Sequence, residues 1–197
     1  FLLLIAIIKG DEPILAITLH PLEQKTVEYN QKLHSEENCY SLIYGGPRER
    51  CIQDTEQYFL SLINEMLTKY EKIGIISLHR RTLSSRNIKS PLNQAELGTL
   101  KGQSLDELIV ANLAERLVEK RIIFDYNTKL TGGEEIRIIH KQFNDPDYKE
   151  KKINQNHSPI NNKVQIVQLE LNGPDSKNPP SYELVKETGR CILNYLK

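Results

Sequence analysis

Ile14-Leu15-Ala16-Ile17-Thr18-Leu19-His20-Pro21-Leu22-Glu23 decides the fold. A nearly unbroken apolar run ends abruptly in a histidine, with a carboxylate three residues on. A strand that is apolar on both faces belongs in a sheet covered by helices on both sides. Two other stretches repeat the form. Ile73-Gly74-Ile75-Ile76-Ser77-Leu78 ends in His79, and Val164-Gln165-Ile166-Val167-Gln168-Leu169 ends in Glu170. Helical patterns separate them. From about Thr55 to Tyr70, the rows Tyr58, Leu62, Met66 and Phe59, Ile63, Leu67 recur at helical spacing, with Asp54 or Thr55 as cap. Leu105 to Lys120 reads as a helix capped by Ser104, with Glu107 completing a capping box. Tyr182 to Leu196 closes the chain as a third helix. This alternation predicts an α/β fold with a mixed, mostly parallel central sheet flanked by helices.

The segments between are read more coarsely. Phe1 to Ile8 is predicted to be a strand forming a hairpin with Ile14 to Leu19, across the turn Lys9-Gly10-Asp11-Glu12-Pro13. It is far shorter than the roughly 20 residues of a spanning helix. It also lacks the basic flank and small-residue cleavage site of a leader. Gln24 to Glu37 reads as polar and irregular. Cys39 to Tyr44 reads as a short strand closed by Gly45-Gly46-Pro47. The polar run after His79 and the loop through Pro91 to Gln103 are long for a compact domain, so they are expected to line a site. Ile122 to Phe124 reads as a strand, Asn127 to Gly133 as a turn, and Glu135 to His140 as a further strand. Asn144 to Asn162 reads as a surface excursion, and Asn172 to Ser181 as a Pro-rich loop. The chain is expected to form one domain, residues 1–197.

Composition narrows the function classes. The formal net charge is zero, which gives no global electrostatic case for nucleic acid or an anionic membrane as partner. There is no Trp and there are only four Phe, so the core must be mostly Ile and Leu. Three cysteines, Cys39, Cys51 and Cys191, are an odd number at no metal-like spacing. They suggest a reducing compartment, the cytoplasm, and packing as small hydrophobes. Nucleotide-binding glycine motifs and a Gly-x-Ser-x-Gly elbow are absent from the sequence.

In open α/β sheets the ligand site lies beyond the carboxyl ends of the strands. His20, His79 and Glu170 are all predicted there. His20 and Glu23, spaced His-x-x-Glu, can reach one ion from a post-strand turn. With His79 they make two histidines and one carboxylate, a set that holds catalytic Zn²⁺ and leaves a position open. Taken singly, each has a plainer reading: a capped turn for Glu23, a satisfied core histidine for His79. Glu170 sits in an apolar stretch, where a carboxylate is costly unless it faces a cleft and serves as general base or acid. Arg81, Arg86 and Arg137 are candidates to grip a substrate carboxylate through a planar fork. His140 is a candidate substrate contact, a spare ligand or a surface residue. His34 and His157 lie in polar stretches and are expected at the surface.

Several stretches together resemble the N-formylglutamate amidohydrolase family, within the wider zinc carboxypeptidase-like (phosphorylase/hydrolase-like) superfamily. Thr18-Leu19-His20 resembles the family's first ligand-bearing strand, and Ile75-Ile76-Ser77-Leu78-His79 its second. Leu97 to Ser104, then a helix, then Asn127 through Gly132-Gly133 to Arg137 and His140, is similar in order and spacing. Val167-Gln168-Leu169-Glu170-Leu171-Asn172 resembles the closing Gln-x-Glu segment, which implies a catalytic role for Glu170. The chain departs from the family in having Pro21-Leu22-Glu23 after the first histidine, closer to the His-x-x-Glu of zinc carboxypeptidases. It also has Ser77-Leu78 before the second, and no clear Asp-x-Asn-Arg element. The resemblance implies a zinc-dependent amidohydrolase acting on a small N-acyl amino acid or a peptide that carries a carboxylate. The alternative is a non-catalytic binding protein on the same fold.

Overall fold

A computed structural model describes residues 5–20, 23–81, 93–127, 132–149, 157–172 and 179–197. It contains a seven-stranded sheet flanked by five α-helices among the described residues. The strands are β1 (Ile5–Ile8), β2 (Glu12–Thr18), β3 (Cys39–Tyr44), β4 (Ile73–Arg81), β5 (Asn93–Gly98), β6 (Ile123–Tyr126) and β7 (Val164–Asn172). The helices are α1 (Gln24–Glu37), α2 (Cys51–Lys69), α3 (Glu107–Glu119), α4 (Glu134–Phe143) and α5 (Tyr182–Leu196). Across the sheet the order is β1-β3-β2-β4-β7-β5-β6. β3, β2, β4 and β7 run parallel, β5 and β6 are parallel to each other, and β1 and β5 are antiparallel to the neighbours β3 and β7. The expected mixed, mostly parallel sheet between helical layers is what forms.

The two faces of the sheet are filled differently. On one, Ile14, Ala16, Ile76, Leu78, Val167, Leu169 and Leu171 meet the apolar rows of α1, α3 and α5. On the other, Leu15, Ile17, Leu19, Ile73, Ile75, Val164 and Ile166 meet α2 and α4. Side chains alternate across a strand, so one face can be followed along it. On the α2/α4 face, β4 reads Ile73, Ile75, Ser77, His79, while β7 reads Val164, Ile166, Gln168, Glu170. Both strands turn from apolar to polar after two positions. They are paired in register there, Ser77 with Gln168 and His79 with Glu170. The polar positions lie where the strands approach their carboxyl ends, and this change of chemistry along one face places the site.

Five sequence expectations are corrected. β1 and β2 do not form a hairpin, because β3 lies between them and pairs with both. The connection instead presses onto the start of β3: Asp11 N donates to Asn38 O at 2.9 Å. A Cβ at Gly10 would stand 2.0 Å from that same carbonyl oxygen, so only glycine fits there. The polar stretch 24–37 is the helix α1. It buries Thr26, Tyr29, Asn30 and Leu33 at helical spacing, and its polar buried members hid the pattern. Asn30 is satisfied by the sheet itself: its Nδ2 donates to Ala16 O and Leu42 O, and it accepts from Ser41 Oγ.

Residues 93–98, read as loop, form the antiparallel strand β5. The cap of α3 is Asp106, whose Oδ1 accepts from Leu108 N at 2.9 Å. Ser104 is drawn away by Ile166 O, to which its hydroxyl donates. Glu135 to His140 belongs to the helix α4 rather than a strand. Its buried residues Glu135, Ile136, Ile139 and His140 recur every three to four positions, a helical repeat that the three isoleucines obscured. Cys39, Cys51 and Cys191 are free and buried. Among the described residues, no helix is long and apolar enough to cross a membrane.

Candidate active site

β2, β4 and β7 are parallel neighbours, and a cleft of about 680 Å³ opens at their carboxyl ends. His20 follows β2, His79 comes from β4, and Gln168 and Glu170 come from β7. Gly133, Glu135 and Arg137 enter from the start of α4, and Arg48 and Cys51 from the lead into α2. The rings of His20 and His79 meet edge to face, with centroids 5.0 Å apart. Glu170 Oε1 lies 4.0 Å from His79 Nδ1. It also accepts a hydrogen bond from Gln168 Nε2, two residues back on the same face.

The best-made contact in the cleft was not anticipated. Glu135 Oε1 lies 2.9 Å from His79 Nε2 and accepts from Ser77 Oγ at 2.8 Å. Ser77 Oγ is in turn 3.0 Å from His79 Nε2. Glu135 is only 2% exposed. A carboxylate so placed is tolerable only when paired and hydrogen-bonded. Burial opposes the charge on both partners, and their mutual attraction outweighs it. His79 is thereby raised to about 9, with Glu170 and Glu23 adding to the effect of Glu135. Glu135 is lowered to about 2, with Ser77 adding to the effect of His79. His20 moves the other way, to about 4, because burial, then His79, then Arg48 disfavour its cation.

The remaining expected residues fall into place unevenly. Glu23 is nearly buried, and burial raises its pKa. Its Oε2 accepts from Arg80 N at 2.7 Å, which ties the turn after β2 to the neighbouring strand. Arg137 lines the cleft and donates from Nη2 to Gly132 O at 3.3 Å. Arg81 ends β4, but its side chain, like the whole of Arg86, lies outside the described residues. Arg48, which was not among the candidates drawn from the sequence, stands exposed on the cleft.

His140 is not a cleft residue. It is fully buried, with Nδ1 3.3 Å from Asn144 Nδ2 and its ring edge-on to Tyr148 and His157. Its correction is a matter of helical phase: Glu135 and Ile136 lie on the same buried face of α4, and only the first turn reaches the cleft. Burial, helped by His157 and opposed by Asp145, lowers its pKa to about 4. Unfolded, it titrates near 6.5. The folded state therefore binds fewer protons between these values, and this contribution to stability is complete above about 6.5 and is lost as pH falls toward 4. The unfolding free energy from urea titration should fall over that range, by on the order of 1 kcal/mol per pH unit from this group. His140→Phe should flatten the difference; an unchanged slope would sink this assignment.

The residues can be tested for zinc. His20 Nδ1 is buried with no hydrogen-bond partner among the described residues, as a nitrogen awaiting a ligand would be. His79 has its Nε2 engaged by a carboxylate, which leaves Nδ1 for an ion, a common arrangement around zinc-binding histidines. With Glu23 the donor set is of the right kind. As the side chains stand, no group of three His, Cys, Asp or Glu among the described residues closes into a coordination set.

No protein-family model matches the chain, and no curated protein matches it in sequence. Solved structures do match in shape. N-formylglutamate amidohydrolase from Ralstonia eutropha JMP134 superposes with a TM-score of 0.59 at 12% identity, covering 98% of this chain and 95% of that one. A bacteriophage poly-gamma-glutamate hydrolase gives 0.54 at 12% identity, over 98% and 87% of the two chains. The zinc-free form of YNDL gives 0.51 at 14% identity, over 98% and 89%. The chain thus shares, over nearly its whole length, the fold of two proteins named as hydrolases of glutamate derivatives.

Proposed function

We propose that the chain is a zinc-dependent amidohydrolase that cleaves an amide of a small N-acyl amino acid, N-formylglutamate-like, or of a peptide bearing a carboxylate. The observation that carries this is the placement of the Glu170 carboxylate 4.0 Å from His79 Nδ1, in a cleft also lined by His20 and two arginines. His20, Glu23 and His79 would hold the ion. Zinc, when bound, supplies Lewis acidity that polarises a carbonyl and brings the pKa of water to about 7. Glu170 takes a proton from the attacking water and returns it to the departing amine. Gln168 holds one Glu170 oxygen, which fixes the carboxylate's direction. Arg137 and Arg48 bind the substrate carboxylate. The free, buried cysteines support a reducing compartment, the cytoplasm.

A second reading, a binding protein on the same fold, is favoured by the open arrangement of the donors. Elemental analysis after gentle purification, with a screen of N-acyl amino acids and short peptides, separates the two. Bound zinc with turnover supports the hydrolase; neither zinc uptake nor turnover supports the binding protein.

Arg48→Ala should raise KM about tenfold or more while kcat changes little, the signature of lost charge-assisted substrate binding. Steady-state kinetics on a carboxylate-bearing substrate and its amide would check it. An equal loss on both substrates would remove Arg48 from carboxylate recognition.

A further inference from the structure

We infer that Glu135 is a positioning residue, which grips the Nε2–H side of His79 from α4 so that Nδ1 is the nitrogen turned to the cleft. The inference rests on the zinc reading only for what Nδ1 then meets. Three observations carry it.

First, an ionised carboxylate can only accept hydrogen bonds. Glu135 Oε1 at 2.9 Å therefore requires the proton on Nε2. Ser77 Oγ, donating to the same oxygen at 2.8 Å, keeps the carboxylate from swinging away. Second, Nδ1 has no comparable partner among the described residues: the carboxylate oxygen of Glu170 stands at 4.0 Å, beyond hydrogen-bond length.

Third, α4 is built to admit this carboxylate. Gly133 is the residue before its first turn, and a Cβ there would lie 2.6 Å from Glu135 Oε2. Gly133 has an ordinary backbone conformation, φ −74°, so it is the space rather than the backbone that calls for glycine. The carboxylate occupies the volume a side chain at 133 would take, at a helix N-terminus that favours negative charge. A pair needed only for stability would be indifferent to which imidazole nitrogen it engaged. Here the geometry selects one nitrogen and leaves the other on the side of Glu170.

The test uses the full chain, stripped of metal and titrated with zinc ion alone against a competing chelator, with ¹⁵N imidazole spectra recorded beside it. Wild type should coordinate through His79 Nδ1, with a solvent-protected proton on Nε2. Glu135→Ala should lose that protection and weaken zinc binding about 10- to 100-fold. Glu135→Gln, which keeps an oxygen acceptor, should recover most of the affinity. Gly133→Ala, which keeps the charge but displaces the carboxylate, should behave like Glu135→Ala. Wild-type affinity in Glu135→Ala, or ligation through Nε2, would overturn the inference. A wild type that takes up no zinc would overturn the proposed function instead. The metal-free spectra then still decide on Glu135: protection lost in Glu135→Ala and Gly133→Ala supports it, and protection unchanged in both removes it.

Discussion

Glu170→Gln should give a folded protein that hydrolyses amides about 100- to 10,000-fold more slowly, the range lost when a positioned general base is removed. The substitution is nearly isosteric. The amide oxygen can still accept from Gln168 Nε2, so the direction of the side chain survives. What disappears is the ability to take a proton from water at neutral pH. Three measurements should therefore separate cleanly. Thermal stability should change little, zinc uptake should persist, and kcat should fall. Hydrolysis that survives undiminished would take Glu170 out of the mechanism. A parallel loss of zinc would recast it as a ligand.

The second large effect concerns His79. His79→Ala strips Glu135 of its cation while leaving it 2% exposed. Breaking a buried ion pair on one side costs about 3–5 kcal/mol, because the remaining charge is neither solvated nor paired. The urea midpoint should drop accordingly. His79→Ala with Glu135→Ala should be more stable than the single substitutions predict by addition, because the stranded carboxylate is gone. Additive losses would show that Glu135 finds other partners. Zinc binding should fail in both variants, so the stability comparison must be made on metal-free protein.

Much of the candidate site was legible in the sequence. Ser77 and His79, like Gln168 and Glu170, stand two apart at the ends of apolar runs, and the period of a strand puts each pair on one face. The pairing of the two strands, Ser77 with Gln168 and His79 with Glu170, then sets the two pairs side by side. Glu135 was hidden because α4 was read with the wrong period: Ile136, Ile138 and Ile139 look like a strand until the burial of Ile136 and Ile139 reveals a helix. With the period wrong, Glu135 became an end residue of no interest and His140 a candidate contact. Arg48 was missed for another reason. It belongs to a short 3-10 turn, Arg48–Arg50, and only the tertiary course of the chain brings that turn over the cleft. The displacement of β1 from β2 by β3 was equally non-local, since nothing in the turn at 9–13 specifies which strand is joined.

The order of strands also bears on how the chain assembles. β7 lies between β4 and β5, and it is the last of the seven described strands in chain order. Ile73 pairs with Val164, about 90 residues later in the chain, and such non-local parallel pairing is slow to form. Until β7 arrives, β5 and β6 have no hydrogen-bonded link to the rest of the sheet, and the inner edges of β4 and β5 are open. Open edges are where chains mispair. A nascent chain stalled before residue 164 would thus carry two separated pieces of sheet, and the strand that joins them is also the one that delivers Glu170.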